Sequence, residues 1–229
     1  MNAVFDENTF YLDRNLFVEH LEQKKPGRFI SINNKVFWPE RRIFQNSRMI
    51  HLIRHPKDTV ISGYHYHMKG PEQWTIEPMF RLQIYQLAFE LDRIYSDEEK
   101  KLLNPEMTYQ NLLKALPFDK GMMTEMVWLK FIETYNPVPF YESPLIETFR
   151  FEDIVADPVN RVANICRSWD LSDREVEYYS ERAAHYERKP TYEIRDKSPY
   201  QFRNCYDKSL DAFFDKHFGS VAARLEYPE

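Results

Sequence analysis

Residues 49–67, MIHLIRHPKDTVISGYHYH, constrain the fold of this chain more than any other stretch. Met49–Ile53 is short and almost wholly apolar, the pattern of a strand covered on both faces. Pro56 cannot continue a ladder, because proline has no amide proton to donate. Residues 58–68 then read as a helix. A strand passing through a tight turn into a helix is half of a crossover unit, and crossovers build parallel sheets.

The rest of the chain fits an α/β domain: a small parallel sheet flanked by many helices. Residues 29–33 and 145–151 read as further strands, and 49–53 and 145–151 are expected to be central and parallel. Asn8-Thr9 is expected to cap a helix carrying Leu12, Leu16, Phe17 and Leu21. Helical spacing recurs over 79–95, 108–116, 122–135, 158–169, 173–186 and 210–218, with Pro117 and Gly121 as punctuation. Residues 136–144 and 187–206 read as irregular. A length of 229 residues predicts one domain, spanning 1–229.

Composition removes several functions. Aromatic residues at 16% argue against long-range disorder. No apolar run approaches the roughly 20 residues of a membrane span, and residues 1–8 show no secretory signal. A net charge of −5 speaks against general nucleic-acid binding. Two cysteines, Cys166 and Cys205, suit neither a disulfide scaffold nor a zinc site, so a reduced, cytoplasmic setting is expected. His65 and His67, two apart on a helix, face away from one another and do not make a metal pair.

The strand–helix junction carries the chemistry. The carboxyl end of a strand beside a helix N-terminus is where open α/β sheets bind ligands, and free N–H groups with the helix dipole favour an anion. Arg54 adds a planar bidentate donor suited to phosphate, and Ser62, early in the helix, adds a hydroxyl. A purely structural alternative pairs Arg54 with a carboxylate such as Asp58.

Arg54-His55-Pro56-Lys57-Asp58, with Ser62 and Tyr64-His65 behind it, resembles the 3′-phosphate-binding segment of the sulfotransferases. These enzymes use 3′-phosphoadenosine 5′-phosphosulfate (PAPS). In that family an Arg at a strand end and a Ser eight residues later hold the 3′-phosphate, and Arg54 and Ser62 keep the spacing. Phe149-Arg150-Phe151-Glu152-Asp153-Ile154, then Asp157-Pro158, resembles the family's R-Y-E-D-L and D-P pattern. Phe151 stands where the family has a Tyr near the adenine, keeping the stacking face without the hydroxyl. Arg195-Asp196-Lys197, Phe202-Arg203-Asn204 and Tyr206 resemble the R-K-G … G-x-W-x-x-x-F loop that closes over the 3′-phosphate. Both glycines are absent there, and Phe202 replaces Trp. Arg188-Lys189-Pro190 is a competing match, and Leu225-Glu226-Tyr227 resembles the ending L-G-Y.

The resemblance implies a three-layer sandwich related to the P-loop NTPases. It implies PAPS as co-substrate, held by Arg54, Ser62, Phe151, Arg195 and Lys197, and sulfuryl transfer to a hydroxyl or amine of a small molecule or glycan. Neither metal nor nucleic acid nor membrane is called for. The family's P-K-S-G-T-T-W loop, which wraps the 5′-phosphosulfate, has no counterpart: no Gly here precedes Lys or Arg and then Ser or Thr. Two explanations stay open, an N-terminally incomplete chain and a natural short form. Lacking the loop costs several powers of ten in rate, so a non-catalytic nucleotide-binding or interaction module is the alternative function. A P-loop kinase relative is a third possibility; the loop that such a kinase needs is absent here too, and 149–154 favours the sulfotransferase branch. A sheet edge left open where a first strand belongs would invite a homodimer. The catalytic base is unassigned, since 29–35 lacks the family's His and Glu7, Glu19 and Glu22 fit no motif. Phe37, Trp38 and Trp74 read either as acceptor-pocket lining or as core.

Overall fold

A computed structural model describes residues 9–11, 28–30, 49–70, 72–78, 93–133, 146–186, 198–225 and 227. Four short strands lie among them: β1 (Thr9–Tyr11), β2 (Arg28–Ile30), β3 (Met49–Ile53) and β4 (Ile146–Arg150). β1 and β2 pair in parallel, with Phe10 opposite Phe29, and β3 and β4 are neighbours in a second two-stranded sheet. The longer helices are α1 (Pro56–Lys69), α5 (Phe118–Glu133), α7 (Pro158–Ser168), α8 (Asp173–Tyr186) and α10 (Lys208–Arg224). Shorter ones are α2 (Gln73–Ile76), α3 (Asp97–Lys100), α4 (Tyr109–Ala115), α6 (Phe151–Ala156) and α9 (Phe202–Cys205). The picture is helical with small strand pairs, as expected of the α/β class.

Several sequence expectations are corrected. Thr9 opens a strand rather than capping a helix: the Thr-Phe-Tyr triplet is β-branched and aromatic, and it finds a parallel partner in β2. Residues 12–27, 31–48, 79–92, 134–145 and 187–197 lie outside the described residues, and with them the helical readings over 12–21 and 79–92 and the loop at 136–144. Residues 93–95 form turns instead of a helix end. Gly121 does not interrupt α5 but sits in its first turn. A Cβ there would meet the Tyr64 ring at 2.6 Å, so the glycine serves close packing. Phe151 leaves the strand and begins α6.

Two compact units divide the chain: Met1–His51 with Tyr135–Thr148, and Leu52–Thr134 with Phe149–Glu229. In the second, α1 turns Val60, Ile61 and Tyr64 inward at helical spacing. They meet Leu112 and Leu113 of α4, Met122 and Met126 of α5, and Leu210, Phe214 and Phe218 of α10 in one core. A smaller cluster, Ala163, Cys166 and Val176, joins α7 to α8. Cys166 is thus a core residue, and burial raises its thiol pKa further from reactivity.

Candidate functional site

Strand β3 ends and α1 begins within three residues, and the turn between them is held from three directions. His55, the N-cap, accepts the Lys57 amide on its ring Nδ1 at 3.2 Å. The His55 amide donates to Glu152 Oε1 at 2.8 Å, and Glu152 Oε2 accepts from the Tyr227 hydroxyl at 2.8 Å. Asp58, wholly buried, accepts the backbone amides of Tyr200 at 2.6 Å and Phe202 at 3.0 Å. The His55 ring stacks on Phe202 at 4.3 Å and meets the Tyr227 ring edge-on at 4.9 Å. Buried carboxylates are tolerated here because each is hydrogen-bonded.

This corrects two expectations. Asp58 is not the partner of Arg54, because its oxygens are taken by the C-terminal segment. Nor is the helix end a bare row of amides. The His55 ring takes one amide, and the Asp58 carboxylate in the first turn already complements the dipole. Among the described residues of this turn Lys57 is already paired with Asp211, which leaves Arg54 as the cation that can attract an anion. Its guanidinium lies 4.9 Å from the Phe151 ring centroid, over the ring face. Its Nε is buried with no hydrogen-bond partner, and no ion pair to Arg54 forms among the described residues. A buried guanidinium nitrogen left unbonded is a donor awaiting an acceptor. An incoming phosphate fits that chemistry.

Of the expected site residues, the structure brings Arg54 and Phe151 together. Ser62 is exposed, on α1, about 9 Å along the helix from Pro56 by the rise of 1.5 Å per residue. Arg195 and Lys197 lie outside the described residues. The loop motif downstream of them is visible. Tyr200 stands where the family pattern has glycine and adopts φ 60°, the conformation glycine takes freely. Its ring packs edge-on near His55 at 5.9 Å and under Arg203 at 4.8 Å. Lys57 does not face outward. It pairs with Asp211 at 2.7 Å, and its ammonium lies 5.4, 5.6 and 5.2 Å from the Phe202, Tyr206 and Phe214 rings.

Sequence reasoning missed the buried roles of Asp58, Glu152 and Tyr227. Their only signal was membership in the matched motifs, and which side chain binds ligand and which binds protein is not written in a motif. A second polar cluster was also missed. Glu125 of α5, fully buried, accepts from Tyr109 at 2.9 Å and lies 3.0 Å from His67 Nδ1. Gly63 leaves room for it, since a Cβ there would strike the Glu125 carboxylate. Trp74 is edge-on to His67 and stacks on Trp128 at 5.1 Å. Burial, then the neighbouring Glu125, pushes the Tyr109 hydroxyl pKa well up. Among the described residues no three His, Cys, Asp or Glu side chains group as metal ligands.

The chain belongs to the sulfotransferase family: the model of the sulfotransferase domain matches residues 16–193, well over half of it. Comparison with curated protein sequences finds no match. Among solved structures, mouse sulfotransferase SULT7A1 complexed with PAP aligns with a TM-score of 0.49 and 14% identity. That alignment covers 99% of this chain and 78% of the mouse chain. No helix among the described residues is long and apolar enough to cross a membrane.

Proposed function

We propose that the β3–α1 junction binds the 3′-phosphate of an adenosine 3′,5′-bisphosphate nucleotide. PAPS would be the co-substrate and a hydroxyl or amine on a small molecule or glycan the sulfuryl acceptor. The carrying observation is the buried, unbonded Nε of Arg54 above the Phe151 ring. Its guanidinium would grip the phosphate as a fork, and the Phe151 face would stack near the base. Ser62, Arg195 and Lys197 are proposed as further phosphate contacts. Transfer would be in line, with a base removing the acceptor proton and cations stabilising the leaving phosphate.

Calorimetry with adenosine 3′,5′-bisphosphate and with 5′-AMP tests the pocket, because only the former carries the group Arg54 would hold. The bisphosphate is expected to bind more tightly. Arg54→Ala should remove the preference, at roughly 1.5–3 kcal/mol per charge-assisted hydrogen bond, or about ten- to hundredfold. Arg54→Lys should restore part of it, since an ammonium cannot form the fork. Equal affinity for both nucleotides in the folded wild type would sink the reading. The second reading, a non-catalytic nucleotide-binding or interaction module, keeps the same Arg54–Phe151 pocket. It predicts binding of the bisphosphate with no release of it from PAPS in the presence of a panel of hydroxyl and amine acceptors.

A further inference from the structure

We infer that Tyr227 is a positioning residue of the nucleotide site, acting on Arg54 through Glu152. The inference rests on the nucleotide reading above and names what holds that site in register. Arg54 and Phe151 come from different strand ends, of β3 and β4. Each is one residue from a partner of a single hydrogen bond: Arg54 precedes His55, and Phe151 precedes Glu152. The His55 amide to Glu152 Oε1 bond at 2.8 Å therefore sets the two ligand-facing residues against each other. Glu152 is only 5% exposed and cannot choose its own rotamer against solvent. Its second oxygen is held by the Tyr227 hydroxyl at 2.8 Å.

The tyrosine is itself well fixed. Its ring meets the His55 ring at 4.9 Å, and the Arg150 guanidinium lies 5.1 Å from its centroid. Arg150 also donates to the Leu225 carbonyl at 3.4 Å, tying the same segment to the end of β4. Neither Glu152 nor Tyr227 faces ligand in this arrangement. They form a support: C-terminal segment to carboxylate, carboxylate to turn, turn to guanidinium. Supports of this kind hold a binding residue in its productive geometry, and loosening them costs affinity without removing any contact to ligand.

Tyr227→Phe deletes one hydroxyl and keeps the ring packed on His55. The expected result is an about tenfold fall in the ratio of affinities for adenosine 3′,5′-bisphosphate over 5′-AMP, the size of one hydrogen bond to a charged group. Affinity for 5′-AMP itself should hold. Hydrogen exchange at the His55 amide should quicken in the same variant without any nucleotide. Thr108→Ala, which removes a distant helix cap, serves as a control that lowers stability and leaves the ratio alone. If Tyr227→Phe lowers the melting temperature like that control and keeps the wild-type ratio, Tyr227 is only core and the inference is overturned. Should the wild type show no 3′-phosphate preference, the nucleotide reading falls. The His55 exchange then decides the link, unchanged exchange overturning it and faster exchange upholding it. If Tyr227→Phe does not fold, Glu152→Gln answers the same question. Its carbonyl accepts the His55 amide and its NH₂ donates to the Tyr227 oxygen, so the ratio should stay within about twofold. A tenfold loss there overturns the role.

Discussion

Asp58 shows how a residue matched to a binding motif can spend its charge inside the protein. Its carboxylate holds two backbone amides of the C-terminal segment and sees no solvent. Asp58→Ala should destabilise by about 3 kcal/mol, since it strands two donors. Asp58→Asn should cost less, because one amide keeps an acceptor. Chemical denaturation measures both, and equal costs would refute the account. Tyr200 is the companion case. At φ 60° the Cβ costs about 1–2 kcal/mol, offset by its contacts with His55 and Arg203. Tyr200→Gly should therefore stay close to wild type, while Tyr200→Val, β-branched and without a ring, should be the more destabilised of the two. Reversed order in the melting temperatures would refute the strain argument.

Helices α1, α4, α5 and α10 position the site by packing, and glycine sets how closely two of them approach. Tyr64 of α1 occupies the space beside Gly121 of α5. Gly121→Ala would improve helix propensity by about 1 kcal/mol but force a Cβ to 2.6 Å from the ring. Overpacking of that kind costs about 1–3 kcal/mol, so net destabilisation is expected. A rise in melting temperature would show that Tyr64 yields freely. Spacing in the sequence made α1, α4, α7 and α8 legible, because apolar residues recur at three and four and Thr108, Asp157 and Pro158 mark starts. The start of α5 was not legible, since the reason a glycine belongs inside it lies on another helix. β1 was missed because a three-residue strand has too little pattern to outweigh the helical spacing that follows.

Five tyrosines of the second unit share one electrostatic fate. Burial raises the pKa of Tyr64, Tyr95, Tyr109, Tyr206 and Tyr227 above the ordinary 10.0, and for Tyr227 the bond to Glu152 adds to it. The folded state therefore holds protons that the unfolded chain releases. Their stabilising effect is complete below about pH 10 and is lost as pH climbs above it. Alkaline unfolding should be steep, with tyrosinate absorbance and circular dichroism changing together. Ionisation well ahead of the loss of helix would contradict this. By itself the sequence determined the α/β class, the strand–turn–helix at residues 49–68, the family and the candidate residues Arg54 and Phe151, because periodicity, proline placement and motif spacing are local. Tertiary structure alone decided which motif carboxylates face inward, that Lys57 is already paired, and that Arg54 keeps an unsatisfied donor. Those outcomes depend on residues 75 to 154 positions apart meeting in space, where burial penalises every unpartnered charge. No local pattern records which partner arrives.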